Sequence, residues 1–145
     1  MNSVGTSSFR YDAIVFDFDG TIVQSNEIKT KAFRKLYEKY GGDIVKQVAE
    51  HHEQNIGISR YEKFRYFHEN LLHLHYTHNV EEKLAKRFSQ LIFDSIVQVP
   101  YVEGALEFIE RFHLKLNLFV ASGTPEKELQ KIIQLRKMSK YFSGI

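Results

Sequence analysis

The sequence predicts an α/β protein: a parallel sheet core, incomplete, interrupted by an inserted all-α module. Three observations carry that expectation. Two apolar runs, "DAIVFD" at 12–17 and "LNLFVA" at 116–121, have the β-branched and aromatic make-up of strands buried on both faces. Between them, from Gln24 to about Val97, apolar residues recur at helical spacing without a convincing strand. Both runs end abruptly in polar loops, "DFDGT" after the first and "SGT" after the second. At 145 residues the chain amounts to about one domain.

Taken in order, "MNSVGTSSFR" forms a polar tail ahead of the first strand. After "GTIVQSN" the period turns helical. Ile28, Ala32, Leu36 and Tyr40 recur every four residues, Phe33 and Tyr37 widen the stripe, and Gly41-Gly42 stops it. A weaker helical stretch runs from Ile44 to about His52. A third shows Tyr61, Phe64, Phe67, Leu71 and Leu74, and a fourth Val80, Leu84, Phe88, Leu91 and Ile96. Such consecutive amphipathic helices make a small bundle of their own. "EGALEFIERF" is then a short helix with Leu106, Ile109 and Phe112 on one side. After the second strand, Pro125 opens a helix at its first position, where the missing N–H costs nothing. Leu129, Ile132 and Ile133 give that helix a buried face, and "YFSGI" reads as the entry to a third strand.

Composition removes several classes. An apolar fraction of 43% with 26% charged residues describes a globular chain, neither disordered nor fibrous. Twenty basic residues against 18 acidic ones, well mixed, give no case for a nucleic-acid partner. With no cysteine, a disulfide framework and a thiolate metal site are both excluded. The tail lacks the apolar core of a signal peptide and no run reaches membrane-spanning length, so a cytoplasmic protein with no membrane partner is expected.

The two loops hold the chemistry. In open parallel sheets ligands collect at the carboxyl edge of the strands, where both loops sit. Side chains alternate along a strand, so Asp17 and Asp19 aim at one point while Phe18 faces away. Gly20 permits the turn that brings backbone close to a ligand. Neighbouring carboxylates repel, and one holds a proton unless a cation sits between them. Magnesium resolves that conflict: it is hard, oxygen-seeking, and keeps waters that a phosphate oxygen can replace. A carboxylate beside it can attack phosphorus while its neighbour gives and takes a proton. The Ser122 hydroxyl, the Gly123 N–H and the start of the next helix offer hydrogen bonds and positive dipole to a phosphoryl group.

"DFDGT" at one strand end, with "SGT" at a second about a hundred residues on, resembles the haloacid dehalogenase superfamily in its magnesium-dependent phosphatase branch. The helical insert resembles the all-α cap of phosphoglycolate phosphatase and β-phosphoglucomutase-like members. The resemblance implies a Rossmann-like core at 10–24 and 98–145 with a helical cap at 25–97. It implies that Asp17 is the nucleophile that becomes an aspartyl phosphate, and that Asp19 protonates the leaving group and then activates water. Asp17 would ligate Mg2+ by its carboxylate and Asp19 by its backbone carbonyl. Thr21 would hold the loop and contact phosphate, with Ser122 and Gly123 binding the transferring phosphoryl. The second aspartate argues against a true dehalogenase. The family's lysine motif and its later acidic pair are expected beyond the strand that begins near Tyr141. Lys137 and Lys140 precede that strand and are not assigned the lysine's role. The expectation is therefore a C-terminally truncated chain with impaired catalysis, whose unpaired sheet side invites association.

Other readings compete locally. An EF-hand fails, because Ile22 stands where glycine is required and Ile28 where the bidentate glutamate belongs. In "GISRYEKFRYF", Ser59 is placed to cap a helix, with Arg60 and Lys63 three apart on one face. They would contact the anionic or polyhydroxyl part of a substrate; the bland alternative is a solvated basic face. Tyr61, Phe64 and Phe67 read as core. His51, His52, His68, His73, His75 and His78 read as surface or packing residues rather than zinc ligands. The expected function is hydrolysis of a small phosphorylated metabolite. A phosphomutase of the same superfamily and a non-catalytic fragment or binding module are the rivals.

Overall fold

The computed structural model describes residues 10–145; the tail before Arg10 lies outside the described residues. Strand β1 covers Ala13–Phe16 and β2 covers Asn117–Val120. They pair in parallel, Ala13 opposite Asn117 through Phe16 opposite Val120. The entry to a third strand meets the other edge of β2. There the Ser143 N–H donates to the Leu118 carbonyl at 2.7 Å, and the Val120 N–H to the Gly144 carbonyl at 3.1 Å. Flanked on both edges, β2 buries Leu118 and Val120. β1 departs from the expectation of burial on both faces, since Val15 is 64% exposed. Among the described residues β1 has one strand neighbour, and nothing covers the face that carries Val15.

Between the strands every element is helical. Helix α1 spans Asn26–Tyr37, α2 Gly42–Gln54, α3 Arg60–Tyr66, α4 His78–Gln98 and α5 Ala105–Phe112. Helix α6, Glu126–Leu135, follows β2. Pro125 takes the N-cap of α6, one position earlier than expected, and Leu129, Ile132 and Ile133 are buried as the spacing predicts. The stripe of α1 meets aromatic neighbours from α3, α4 and the turn after α3. Phe33 lies 5.9 Å from Phe64, 5.7 Å from Phe67 and 4.5 Å from Phe88 between ring centroids. Such tilted and edge-on rings add about 0.5–1.5 kcal/mol per pair beyond their area.

Two expectations for the third helix are corrected. Tyr61 is 36% exposed and only edges the core. Leu74 is 46% exposed, because α3 widens into a π-turn at Phe67–Leu71 and the chain leaves helical geometry before Leu74.

The start and end of the helical run lie side by side. The Gln24 N–H donates to the Pro100 carbonyl at 3.0 Å and the Val102 N–H to the Ile22 carbonyl at 2.9 Å, around an antiparallel Val23–Tyr101 bridge. Among the described residues no helix is long and apolar enough to cross a membrane.

Candidate active site

The loop after β1 is pulled tight by its own backbone. The Phe18 carbonyl accepts from the Ile22 N–H at 2.9 Å and the Val23 N–H at 3.2 Å, while the Gly20 N–H donates to the Val23 carbonyl at 2.8 Å. Gly20 has φ +72°, left-handed backbone that favours glycine. Phe18 is consequently buried, while Asp17 and Asp19 line one cavity together with Gly123 from the loop after β2. The cavity encloses about 50 Å³. Its opposite wall comes from the helical run, with Phe33, His52, Arg60, Lys63 and Phe88. A side chain at Gly123 would come 3.6 Å from the Ser59 Cα, so the two walls nearly touch there.

Asp19 is the hub of the site. Its Oδ1 accepts from Ser25 Oγ at 2.5 Å; its Oδ2 accepts from Lys29 Nζ, from Ser122 Oγ at 3.2 Å and from Thr124 Oγ1 at 3.3 Å. Burial pushes the Asp19 carboxyl up, but the Lys29 charge and the hydrogen bonds from Lys29, Ser25 and Ser122 together outweigh it and hold the group below its ordinary value. Ser122 in turn accepts the Thr124 N–H at 3.0 Å, which fixes the loop. Asp17 is exposed and accepts the Phe18 N–H at 2.7 Å. Thr21 is exposed and is not among the residues that line the cavity.

A magnesium ion can be tested against these donors. The Asp17 carboxylate, with one oxygen on a backbone N–H, retains acceptor capacity at the cavity wall. Asp19's carboxylate is already matched by Lys29, so its side chain needs no metal to relieve repulsion. Among the described residues no cluster of three or more His, Asp or Glu forms a metal site. Of the two aspartates that line the cavity, Asp17 is the one whose carboxylate is left to take a hard ion, which would draw most of its coordination from other oxygens.

Arg60 and Lys63 do not form a solvated basic face; they are 5% and 2% exposed. Ser59 caps their helix, accepting the Glu62 N–H at 3.4 Å. Arg60 reaches across to α6 and forms a bidentate pair with Glu128, 2.9 Å to Oε1 and 3.2 Å to Oε2, plus 2.8 Å to Ser89 Oγ. Lys63 Nζ lies 2.8 Å from His52 Nδ1. Burial, then the Lys63 and Lys29 charges, hold His52 down to about 4, so its neutral ring accepts from Lys63. The other ring nitrogen, Nε2, is buried without a hydrogen-bond partner among the described residues.

Burial and the Lys29 charge also lower Lys63 from 10.5 to about 8. Between those values the unfolded chain binds a proton that the folded chain does not. Lys63 therefore makes stability rise with pH from about 8 to about 10.5. The expected gain is about 2–3 kcal/mol. Urea unfolding across that range checks it, with the rise reduced in Lys63→Met relative to the unsubstituted protein.

The sequence reading missed Ser25, Lys29, His52, Thr124 and Glu128. Ser25 and Lys29 carried a signal: four apart at a helix start, they share one face just after "DFDGT". Thr124 belongs to the quoted "SGT". His52 and Glu128 carried none, since their partners are distant in sequence.

Residues 14–145 match the haloacid dehalogenase-like hydrolases. A phosphorylated carbohydrates phosphatase of Thermotoga maritima is 24% identical over 131 residues, 90% of this chain and 58% of that protein. The crystal structure of β-phosphoglucomutase from Clostridium difficile superposes with a TM-score of 0.71 at 20% identity, over 92% of this chain and 60% of that one. A putative hydrolase, YfnB of Bacillus subtilis bound to magnesium, superposes at 0.64 with 17% identity, over 94% of this chain and 65% of that one. The chain thus spans about three-fifths of the length of its relatives. With the match running from the first strand through the paired-aspartate loop to the third-strand entry, this chain belongs to the haloacid dehalogenase-like hydrolase family.

Proposed function

We propose that the protein hydrolyses a small phosphorylated metabolite through a phospho-aspartate on Asp17, with magnesium as cofactor. The observation that carries this is the convergence of Asp17, Asp19 and Gly123 on one cavity. In this reading Asp17 attacks phosphorus, the leaving oxygen departs, and water later cleaves the acyl phosphate. Asp19 gives and takes the proton, a role for which Ser25, Ser122 and Lys29 set its position and ionisation. Ser122 Oγ and the Gly123 N–H cradle the transferring phosphoryl, and Thr21 stiffens the loop. Mg2+ would be held by the Asp17 carboxylate and the Asp19 main-chain carbonyl, and would offset phosphoryl charge.

The segment 25–97 acts as a cap over a core of 10–24 and 98–145, and excludes water from the cavity. Arg60 and Lys63 line the cavity on the substrate side, Arg60 with its charge matched by Glu128 and Lys63 against a neutral His52. The named relatives favour phosphorylated sugars as the substrate class. Return of the phosphoryl to a second hydroxyl, as in a mutase, uses the same residues and is favoured by the β-phosphoglucomutase likeness.

Incubation with magnesium and acetyl phosphate, followed by denaturation, should leave one hydroxylamine-labile phosphate per chain, absent in Asp17→Asn. Labelling that persists in Asp17→Asn overturns the assignment.

A further inference from the structure

A second groove lies between the end of α1 and the start of α4, and it shares no lining residue with the cavity. Its bed is apolar, made by Leu36 and Tyr40 on the α1 side and by Val80 and Leu84 of α4, all half-buried. Its rim is basic: Lys39 from the turn after α1, with Lys83 and Arg87 four apart on α4, all exposed. No acid lines it. The neighbouring acids are engaged elsewhere. Glu38 holds Lys35 at 2.7 Å, Glu81 accepts from the Tyr76 hydroxyl at 2.9 Å, and Glu82 lies 3.4 Å from His78 Nε2. None of the three rim cations has a carboxylate within 4.0 Å among the described residues; Lys39 sits 4.8 Å over the Tyr40 ring instead. Like charges four apart on a helix repel, and the groove holds no acid to offset the Lys83–Arg87 pair.

His68 also lines the groove, although it is only 5% exposed. Both of its hydrogen bonds run through Nδ1, 3.1 Å from the Phe64 carbonyl and 3.3 Å from the Tyr37 hydroxyl. A carbonyl only accepts, so Nδ1 carries the proton and Nε2 keeps its lone pair. Nε2 has no hydrogen-bond partner among the described residues. Burial holds the ring below its ordinary value; the Phe64 carbonyl pulls the other way, and the Lys39 charge adds to burial. A matching ligand needs an apolar body, an N–H or O–H donor for Nε2, and a multiply anionic head.

We infer that this groove is a binding site for a nucleoside triphosphate. The base lies on Leu36, Val80 and Leu84, its exocyclic N–H donates to His68 Nε2, and the phosphates meet Lys39, Lys83 and Arg87. The groove encloses about 390 Å³, within the range of small-ligand sites. An acyl carboxylate offers the apolar body but one charge and no donor. Inorganic polyphosphate offers the charge alone. The site is independent of the chemistry proposed for the cavity.

Isothermal titration calorimetry in EDTA, which withholds magnesium from the cavity, compares ATP with adenosine, tripolyphosphate and N6,N6-dimethyl-ATP. ATP should bind about ten-fold tighter, or more, than either adenosine or tripolyphosphate. Dimethyl-ATP, whose base has no N–H, should bind about five- to ten-fold more weakly than ATP, because Nε2 stays unpaired. The double change Lys83→Gln with Arg87→Gln, at two exposed positions, should weaken ATP by about ten-fold or more while the nucleotide-free Tm holds. No binding of ATP, or tripolyphosphate that matches ATP, overturns the inference. ATP affinity that persists in the double variant puts the nucleotide elsewhere, the cavity included, and overturns it too. Dimethyl-ATP that binds as tightly as ATP also overturns it, since the base is then not read. Should the double variant lose its fold, Arg87→Gln alone carries the same test.

Discussion

Asp19→Asn should lower kcat by about a hundred- to ten-thousand-fold, the range for losing a positioned acid–base group. Asparagine keeps the shape, and its one amide oxygen can still accept from Ser25 while its NH2 faces the Ser122 and Thr124 hydroxyl oxygens, but it cannot carry the proton. The loop therefore stays assembled while proton transfer is lost. Lys29, whose side chain is 14% exposed, then faces an amide instead of a carboxylate. Leaving that partly buried charge unmatched should remove about 2 kcal/mol of stability, discounted for the water that still reaches it. Steady-state kinetics with a generic phosphate ester and magnesium, beside a urea melt, separates the two effects. A kcat within tenfold of the unsubstituted protein would remove Asp19 from the chemistry. Lys29→Met supplies the pH signature. Lys29 holds Asp19 low, so without it the limb that reports the Asp19 carboxylate moves to higher pH.

Glu128→Ala should be the most damaging change for stability, by about 3–5 kcal/mol. It leaves the Arg60 guanidinium, 4% exposed, with Ser89 and an aromatic face but no anion. For a chain of this size that corresponds to a fall in Tm of roughly 10 °C, readable by calorimetry. Breaking one side of a buried pair differs from removing it. The double change Arg60→Met with Glu128→Leu should recover most of the loss. A single-variant Tm within about 2 °C of the unsubstituted protein would show the pair to be dispensable.

Much of the architecture was legible because it rests on local periodicity. The α1 stripe through Ile28, Phe33 and Tyr37, the stop at Gly41 and the buried face of α6 all follow from spacing along the chain. The two loops were legible because their chemistry is compact and sits at strand ends. What escaped depends on long-range pairing. The spacing of Arg60 and Lys63 put them on one side of a helix, but whether that side met water was decided by α1, α4 and α6. Glu128 stands 68 positions from Arg60. The run containing Val15 reads as doubly buried, yet burial of a face is set by what packs on it. Leu74 fell off its stripe because a π-turn changed the helical period locally.

The side-by-side crossings of Gln24 with Pro100 and Ile22 with Val102 have a mechanical consequence. Arg136 reinforces the outgoing one, its Nη1 donating at 2.9 Å to the carbonyls of Ile96, Val97 and Val99. Both ends of the helical run are thus tied to one another at their crossing, while the buried Arg60–Glu128 pair ties α3 to α6. Any widening of the 50 Å³ cavity that separates α3 from α6 has to break that pair.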